Sequence, residues 1–328
     1  MGKIMFVVDR LADLPSSLVM SRDDIIVLDI PITCIKHGAE DVVFHDMTAD
    51  DFIDVNELVE QGYVSKTSLP QIYETLDETK YGITSLERVT RQALSEDKDV
   101  LYLAVNHLIS GTFDAASALF EEINNSMPEN NSCRALCIDT ACASTGLAML
   151  FKDLIDEYDQ GKITSVSEAK EYIEQHKSSI AMVFSWFEFE YVKKSGKVKA
   201  LPAFLGKVFG IHPIGSVEYT TAGRPLITFS RKVRGTKKFY GVLARFIQQT
   251  IVDPSGIITI AHGNCLEKVE ELAEIIKLTL PEATICYGKE WRCGAAIQAH
   301  GGPTSIHINY HRKAPNSFEE SEQILESL

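Results

Sequence analysis

The chain has 328 residues, 45% of them hydrophobic and 24% charged, which suits two globular cores and excludes a disordered or fibrous protein. Its net charge of −14 argues against nucleic acid as a partner, because phosphate-backbone affinity rests on lysine and arginine. Seven scattered cysteines, an odd number in a chain this large, fit a reducing compartment better than a disulfide framework.

The opening MGKIMFVVDR runs straight into strand-like sequence, with no separate apolar h-region and no small-residue cleavage site. No apolar run approaches the roughly eighteen residues of a membrane span, so a soluble, cytoplasmic protein is expected. Apolar, β-branched runs at 4–8, 25–32, 100–105 and 134–138 predict strands. Helical patterns lie between them. Phe113, Ala116, Phe120 and Ile123 share one face of a helix opening at Gly111 and Thr112, and residues 144–158 (STGLAMLFKDLIDEY) predict another. Such alternation predicts a parallel sheet covered on both faces, with right-handed crossovers gathering the carboxyl ends of the strands along one edge.

From about residue 162 the texture changes. The stretch SEAKEYIEQHKS predicts a helix with Ser165 or Ser167 as its N-cap, followed by an apolar strand at 180–187. Runs at 215–220 and 225–230, joined by Thr221-Ala222-Gly223-Arg224, predict a hairpin. A helix at 235–251, a strand at 256–261, a helix at 266–278 and strands at 283–287 and 305–310 complete an α+β half. The expected organisation is therefore a parallel α/β domain over 1–162 and an α+β domain over 163–328. Charge is also uneven. Residues 193–238 hold eleven Lys or Arg against one acid, Glu218, a net +10 that leaves −24 for the remainder. Such a stretch is commonly a solvated face, and on an acidic protein it is also where an anionic partner, phosphate or lipid surface would dock.

Ligands of open α/β sheets collect at the carboxyl ends of the strands. The residues expected there are Asp9, Arg10 and Asp13; Lys66, Thr67, Ser68, Leu69 and Pro70; Asn106, His107, Ser110, Gly111 and Thr112; and Asp139 and Thr140. Hydroxyls predominate. Ser110 and the amides of Gly111 and Thr112 could receive an anion at a helix start, or Ser110 could simply be a cap and Thr67-Ser68 a turn. A second group is Gln298-Ala299-His300-Gly301-Gly302-Pro303, where the glycines permit close backbone approach and the flanking amides an anion-binding nest. His307, Asn309 and His311 alternate on one strand face, but no carboxylate or cysteine accompanies them at metal-binding spacing. Cys133, Cys137 and Cys142 likewise lack the paired spacing of a zinc site. No metal and no cofactor is expected.

Taken in order, the motifs resemble the DegV family. Val8-Asp9-Arg10-Leu11-Ala12-Asp13-Leu14 is similar to its strand-Asp-Ser-x-Ala-Asp-Leu opening, Thr67-Ser68-Leu69-Pro70 to its Thr-Ser-x-Pro turn, and Ile109-Ser110-Gly111-Thr112-Phe113 to its Leu-Ser-Gly-Thr-aromatic motif. Asp139-Thr140, Lys194-Ser195-Gly196-Lys197, Gly223-Arg224-Pro225, Arg231-Lys232-Val233-Arg234-Gly235 and His300-Gly301-Gly302-Pro303 continue the series. Each motif is weak alone, and their order is specific. The resemblance implies a two-domain fold: a parallel, Rossmann-like α/β/α N-terminal domain and an α+β C-terminal domain with a mixed sheet. It implies a long-chain fatty acid held in a tunnel between the domains, its carboxylate bound by Ser110, Thr67 and His300 with Ser68 and the Gly111 amide nearby. It further implies a non-catalytic carrier that presents the carboxylate to a fatty acid kinase, with Lys197, Arg231 and Arg234 on the docking face and room for transient contact with a membrane surface.

Three departures stand out. Arg10 occupies the place of a small serine, where it could pair with Asp13 or Asp139 or bind an extra anionic group. Lys197 stands where the family has arginine, and Gly-Pro-Thr replaces Gly-Pro-Gly. Two other readings compete: a binder of another amphiphile or small anion using Arg10, and a serine-type hydrolase pairing Ser110 with His107 or His300. The hydrolase lacks a Gly-x-Ser-x-Gly elbow and an evident carboxylate to orient its base, and nothing around Cys142 suggests an activated thiol.

Overall fold

The computed structural model describes residues 3–14, 18–19, 21–28, 32–40, 42–44, 61–67, 86–128, 132–189, 192, 210–220, 222–313 and 323–325. The first half holds β1 (Lys3–Asp9), β2 (Ile25–Leu28), β3 (Ile32–Ile35), β4 (Val42–Phe44), β5 (Val64–Thr67), α1 (Leu86–Ser95), β6 (Lys98–Ala104), α2 (Thr112–Ser126), β7 (Ala135–Asp139) and α3 (Ser144–Asp159). There follow α4 (Val166–His176), β8 (Ile180–Trp186), β9 (Ile211–Tyr219), β10 (Pro225–Arg234) and α5 (Thr236–Thr250). The chain continues with β11 (Ile257–His262), α6 (Leu266–Thr279), β12 (Thr284–Cys286), α7 (Ala295–Gly301) and β13 (Ser305–His311).

Among the described residues the strands form three sheets. The order β2-β1-β6-β7 is parallel throughout. Side chains alternate across a strand, so β1 divides its apolar residues between two cores. Ile4, Phe6 and Val8 pack with Leu147, Leu150 and Phe151 of α3, whereas Met5 and Val7 meet Val89 of α1 and Phe120 of α2. The larger sheet, β10-β9-β8-β13-β11-β12, is antiparallel except for the β11–β12 pair. Ala181 and Val183 on one face pack on α5 and α6, and Met182, Phe184 and Trp186 on the other join the core built around α3. That helix is therefore apolar over most of its circumference, because it lies between two sheets.

Several expectations are corrected. The apolar run at 25–32 is not one strand: β2 pairs with β1, and β3 turns away into a small antiparallel sheet, β4-β3-β5, that was not anticipated. The helix α1 was also missed. Residues 298–301 form the end of α7, closed by Gly302 at φ 82° and ψ 173°, a positive-φ conformation open to glycine. Ser165, not Ser167, caps α4, and it forms a full capping box with Glu168. Although α4 lies beyond residue 162, it packs on β6 and β7, so the change of sheet comes at β8.

Candidate functional site

At the carboxyl edge of the parallel sheet, Asp9 closes β1 in full burial. Its carboxylate accepts from the Tyr102 hydroxyl and, at 3.4 Å, from the Val105 amide; burial nevertheless pushes it up to about 7. The loop after β6 is braced by Asn106, whose Nδ2 donates to Ala141 O (2.9 Å) and whose Oδ1 accepts from the Leu108 amide (2.9 Å). That brace presents Ser110 just ahead of α2, with Gly111 as the N-cap residue. The Ser110 hydroxyl lies 2.6 Å from Thr112 Oγ1 and accepts from the Thr112 amide at 3.3 Å, so it is held at the start of α2 while lining the space beyond.

That space is an apolar cleft between the two larger sheets, about 870 Å³ counting the part open to solvent. Leu11, Ile109 and Ala143 wall it on the first side, and Met182, Phe184, Val217 and Ile227 on the other. Ser110 and His300 both line it, and Asn106, Trp186 and His307 complete its polar inventory. Asp13 ties the two sides together. Its carboxylate accepts from Ser144 Oγ (2.6 Å) and from the amide of Gly294 (2.7 Å), the residue that opens α7 and so positions His300. Burial pushes Asp13 up to about 6 despite these donors.

The structure thus brings Ser110 and His300 to one cleft, with Gly111 exposed beside Ser110 as the N-cap of α2. Thr67 ends β5, whose backbone runs beside α7, and Ser68 and Lys197 lie outside the described residues. Arg10 is exposed, one residue before Leu11 of the cleft wall. Asp139, one of its expected partners, is held by His107, with Nδ1 to Oδ2 at 2.5 Å. Arg231 and Arg234 stand on β10 away from the cleft; Arg231 is half-buried opposite Ile214, which faces α5, and Arg234 is exposed.

The His107–Asp139 pair overturns the expectation that no carboxylate orients a base. The Ser110 hydroxyl, however, is engaged with Thr112. Burial pushes the Cys142 thiol up to about 12, leaving it inert. His307, Asn309 and His311 do not form a metal site: Asn309 Nδ2 donates to Thr145 Oγ1 (2.7 Å), His311 sits 3.5 Å from Asp153, and His307 lines the cleft. No metal-type cluster occurs among the described residues. Trp186 is a cleft residue that the sequence did not mark, and His307 was marked only for a metal face and not for the cleft. The only sequence signal was position on an alternating strand, which does not say what the face meets.

The site is an oil-lined cleft between a parallel and a mixed sheet, with small neutral donors on its wall, in an α/β protein. The chain belongs to the DegV family, whose model matches residues 3–313. A DegV domain-containing protein of Clostridium perfringens is 26% identical over 305 residues, covering 92% of this chain and 95% of that protein. Another from Streptococcus pneumoniae is 26% identical over 262 residues, 79% of this chain and 82% of its own. Among solved structures, a fatty acid binding DegV family protein of Streptococcus agalactiae matches with a TM-score of 0.71 at 21% identity, over 94% of this chain and 98% of its own. The Streptococcus pneumoniae Fatty Acid Kinase B3 protein, loaded with linoleic acid, matches with a TM-score of 0.69 at 17% identity, over 95% and 100%. These likenesses establish the shared two-domain α/β fold.

Proposed function

We propose that this protein binds a long-chain fatty acid in the cleft and presents its carboxylate, without itself catalysing a reaction, to a cytoplasmic fatty acid kinase. The observation that carries this is the cleft itself: apolar walls from both sheets, with Ser110 and His300 on them. A carboxylate leaving water needs several donors, and hydroxyls with backbone amides supply them without a second buried charge. Thr67, Ser68, Ser110, the Gly111 amide and His300 are that set. The acyl chain provides the driving force, about 0.8 kcal/mol per buried methylene. On this reading residues 1–162 carry most of the head-group contacts and 163–328 close the tunnel, with Lys197, Arg231 and Arg234 on the side a kinase approaches. The fatty-acid-binding neighbours support it by their fold and by what they bind.

A hydrolase remains the second reading, because Asp139 orients His107. Native mass spectrometry of the purified protein separates the two. The carrier is expected to co-purify with a fatty acid of about sixteen to eighteen carbons, a tail long enough to survive purification once buried. Ser110→Ala is expected to weaken rebinding about tenfold or more, the worth of one hydrogen bond to a charged group. An empty protein that fails to bind added palmitate and turns over esters overturns the proposal.

A further inference from the structure

Two polar atoms on the cleft wall stand out because nothing satisfies them. Trp186 Nε1 and His307 Nε2 are both buried without a hydrogen-bond partner among the described residues, although both residues line the cleft. They sit on one face of the larger sheet. In the β8–β13 register His307 lies opposite Phe184 and Ser305 opposite Trp186, so His307 and Trp186 are diagonal neighbours, close enough for large side chains to reach a common group. Burial lowers His307 to about 4, so its ring is neutral, with one N–H and one lone pair. The indole can only donate. Buried polar groups in folded proteins are paired in the great majority of cases, and a plain hydrocarbon chain filling this cleft would leave both atoms unpaired.

On the reading that the cleft holds a long-chain acid, we propose that its preferred guest carries an in-chain hydroxyl, which pairs with Trp186 and His307. A hydroxyl is the small group that suits this pair: it accepts from the indole N–H while donating to the imidazole lone pair, or accepts from both rings in the other tautomer. A hydroxyl group also leaves the rest of the chain free to occupy the apolar wall formed by Met182, Phe184, Val217 and Ile227. His307 and Trp186 are then specificity-determining residues on the larger sheet, with the indole Nε1 beside Gly301, whereas Ser110 precedes α2.

The test needs no variant to be decisive. Delipidated full-length protein is titrated with stearic, 10-hydroxystearic and 12-hydroxystearic acids, which share chain length and carboxylate. At least one hydroxy acid is expected to bind about tenfold more tightly than stearic acid, the scale of one net hydrogen bond plus the relief of an unpaired group. His307→Leu is expected to erase or invert that preference, and Trp186→Phe to reduce it. Stearic acid binding as tightly as both hydroxy acids to the wild type overturns this inference and leaves the fatty-acid reading standing. Failure of all three acids to bind overturns both. If His307→Leu does not fold, His307→Gln, which keeps a donor and an acceptor, is expected to retain the preference, and its loss there would count against the assignment.

Discussion

A neutral imidazole facing oil has a thermodynamic signature apart from any ligand. His307 ordinarily titrates near 6.5, and burial lowers it to about 4 in the folded protein. Between those values the unfolded chain takes up a proton that the folded chain refuses, so stability falls as pH drops below 6.5 and is fully reduced by about 4. From pH 7.5 to pH 5 the loss is about 2 kcal/mol, at 1.36 kcal/mol per pH unit below 6.5. Asp9 works in the opposite sense. Burial holds it up at about 7, so it adds stability as pH falls through 7 towards the ordinary carboxylate range. A simple acid titration of the wild type therefore mixes the two. The difference between wild type and His307→Leu removes Asp9, which is common to both. Urea unfolding is expected to show the variant gaining about 2 kcal/mol on the wild type between pH 7.5 and pH 5. A difference independent of pH would mean that His307 is not held neutral.

Among the elements, those with many turns of one period were legible and those defined by partners were not. Phe113, Ala116, Phe120 and Ile123 announce α2, and the polar turn at 221–224 announces the β9–β10 hairpin. The small β4-β3-β5 sheet is built from strands of three or four residues, too short for alternation to register. The seven-residue α7 ends in Gly301 with Gly302 as its cap, which reads as a loop. Ser110 and His300 were found because hydroxyls and glycines clustered at expected positions. Trp186 was not, and His307 was read only with Asn309 and His311, because the face that His307 shares with Trp186 depends on a register between strands more than a hundred residues apart. The placement of α7 depends on an equally distant contact, from Asp13 to the Gly294 amide and Ser144. Asp13→Ala removes an acceptor that is worth about 1.5 to 3 kcal/mol for a hydrogen bond to a charged group. Hydrogen exchange of the Gly294 amide and of α7 is expected to rise about tenfold or more, while β6 in the centre of the parallel sheet exchanges as before. Unchanged protection of α7 would show that Asp13 does not hold it.

Across the whole molecule, charge is segregated more sharply than the sequence count suggests. The segment 193–238 carries +10 on a chain whose remainder is −24. Its only acid, Glu218, is buried and paired with Arg312 at 2.8 Å, so that charge does not offset the lysines and arginines at the surface. Lys232, Arg234, Lys237 and Lys238 are exposed together at the end of β10 and the start of α5, whereas Arg231 is half-buried. Such a patch acts on encounter more than on the strength of the final complex, and its reach shortens to about 8 Å at physiological ionic strength. On the proposed function it steers the kinase, so its effect belongs to the rate of acid phosphorylation at low kinase concentration and not to fatty acid affinity. Charge reversal by Arg234→Glu, Lys237→Glu and Lys238→Glu together is expected to lower that rate about tenfold at low salt, with the gap to wild type narrowing as salt is added. The affinity for the acid should be unchanged, because none of the three lines the cleft. A wild-type rate indifferent to salt, matched by the triple variant, would place the kinase on another face.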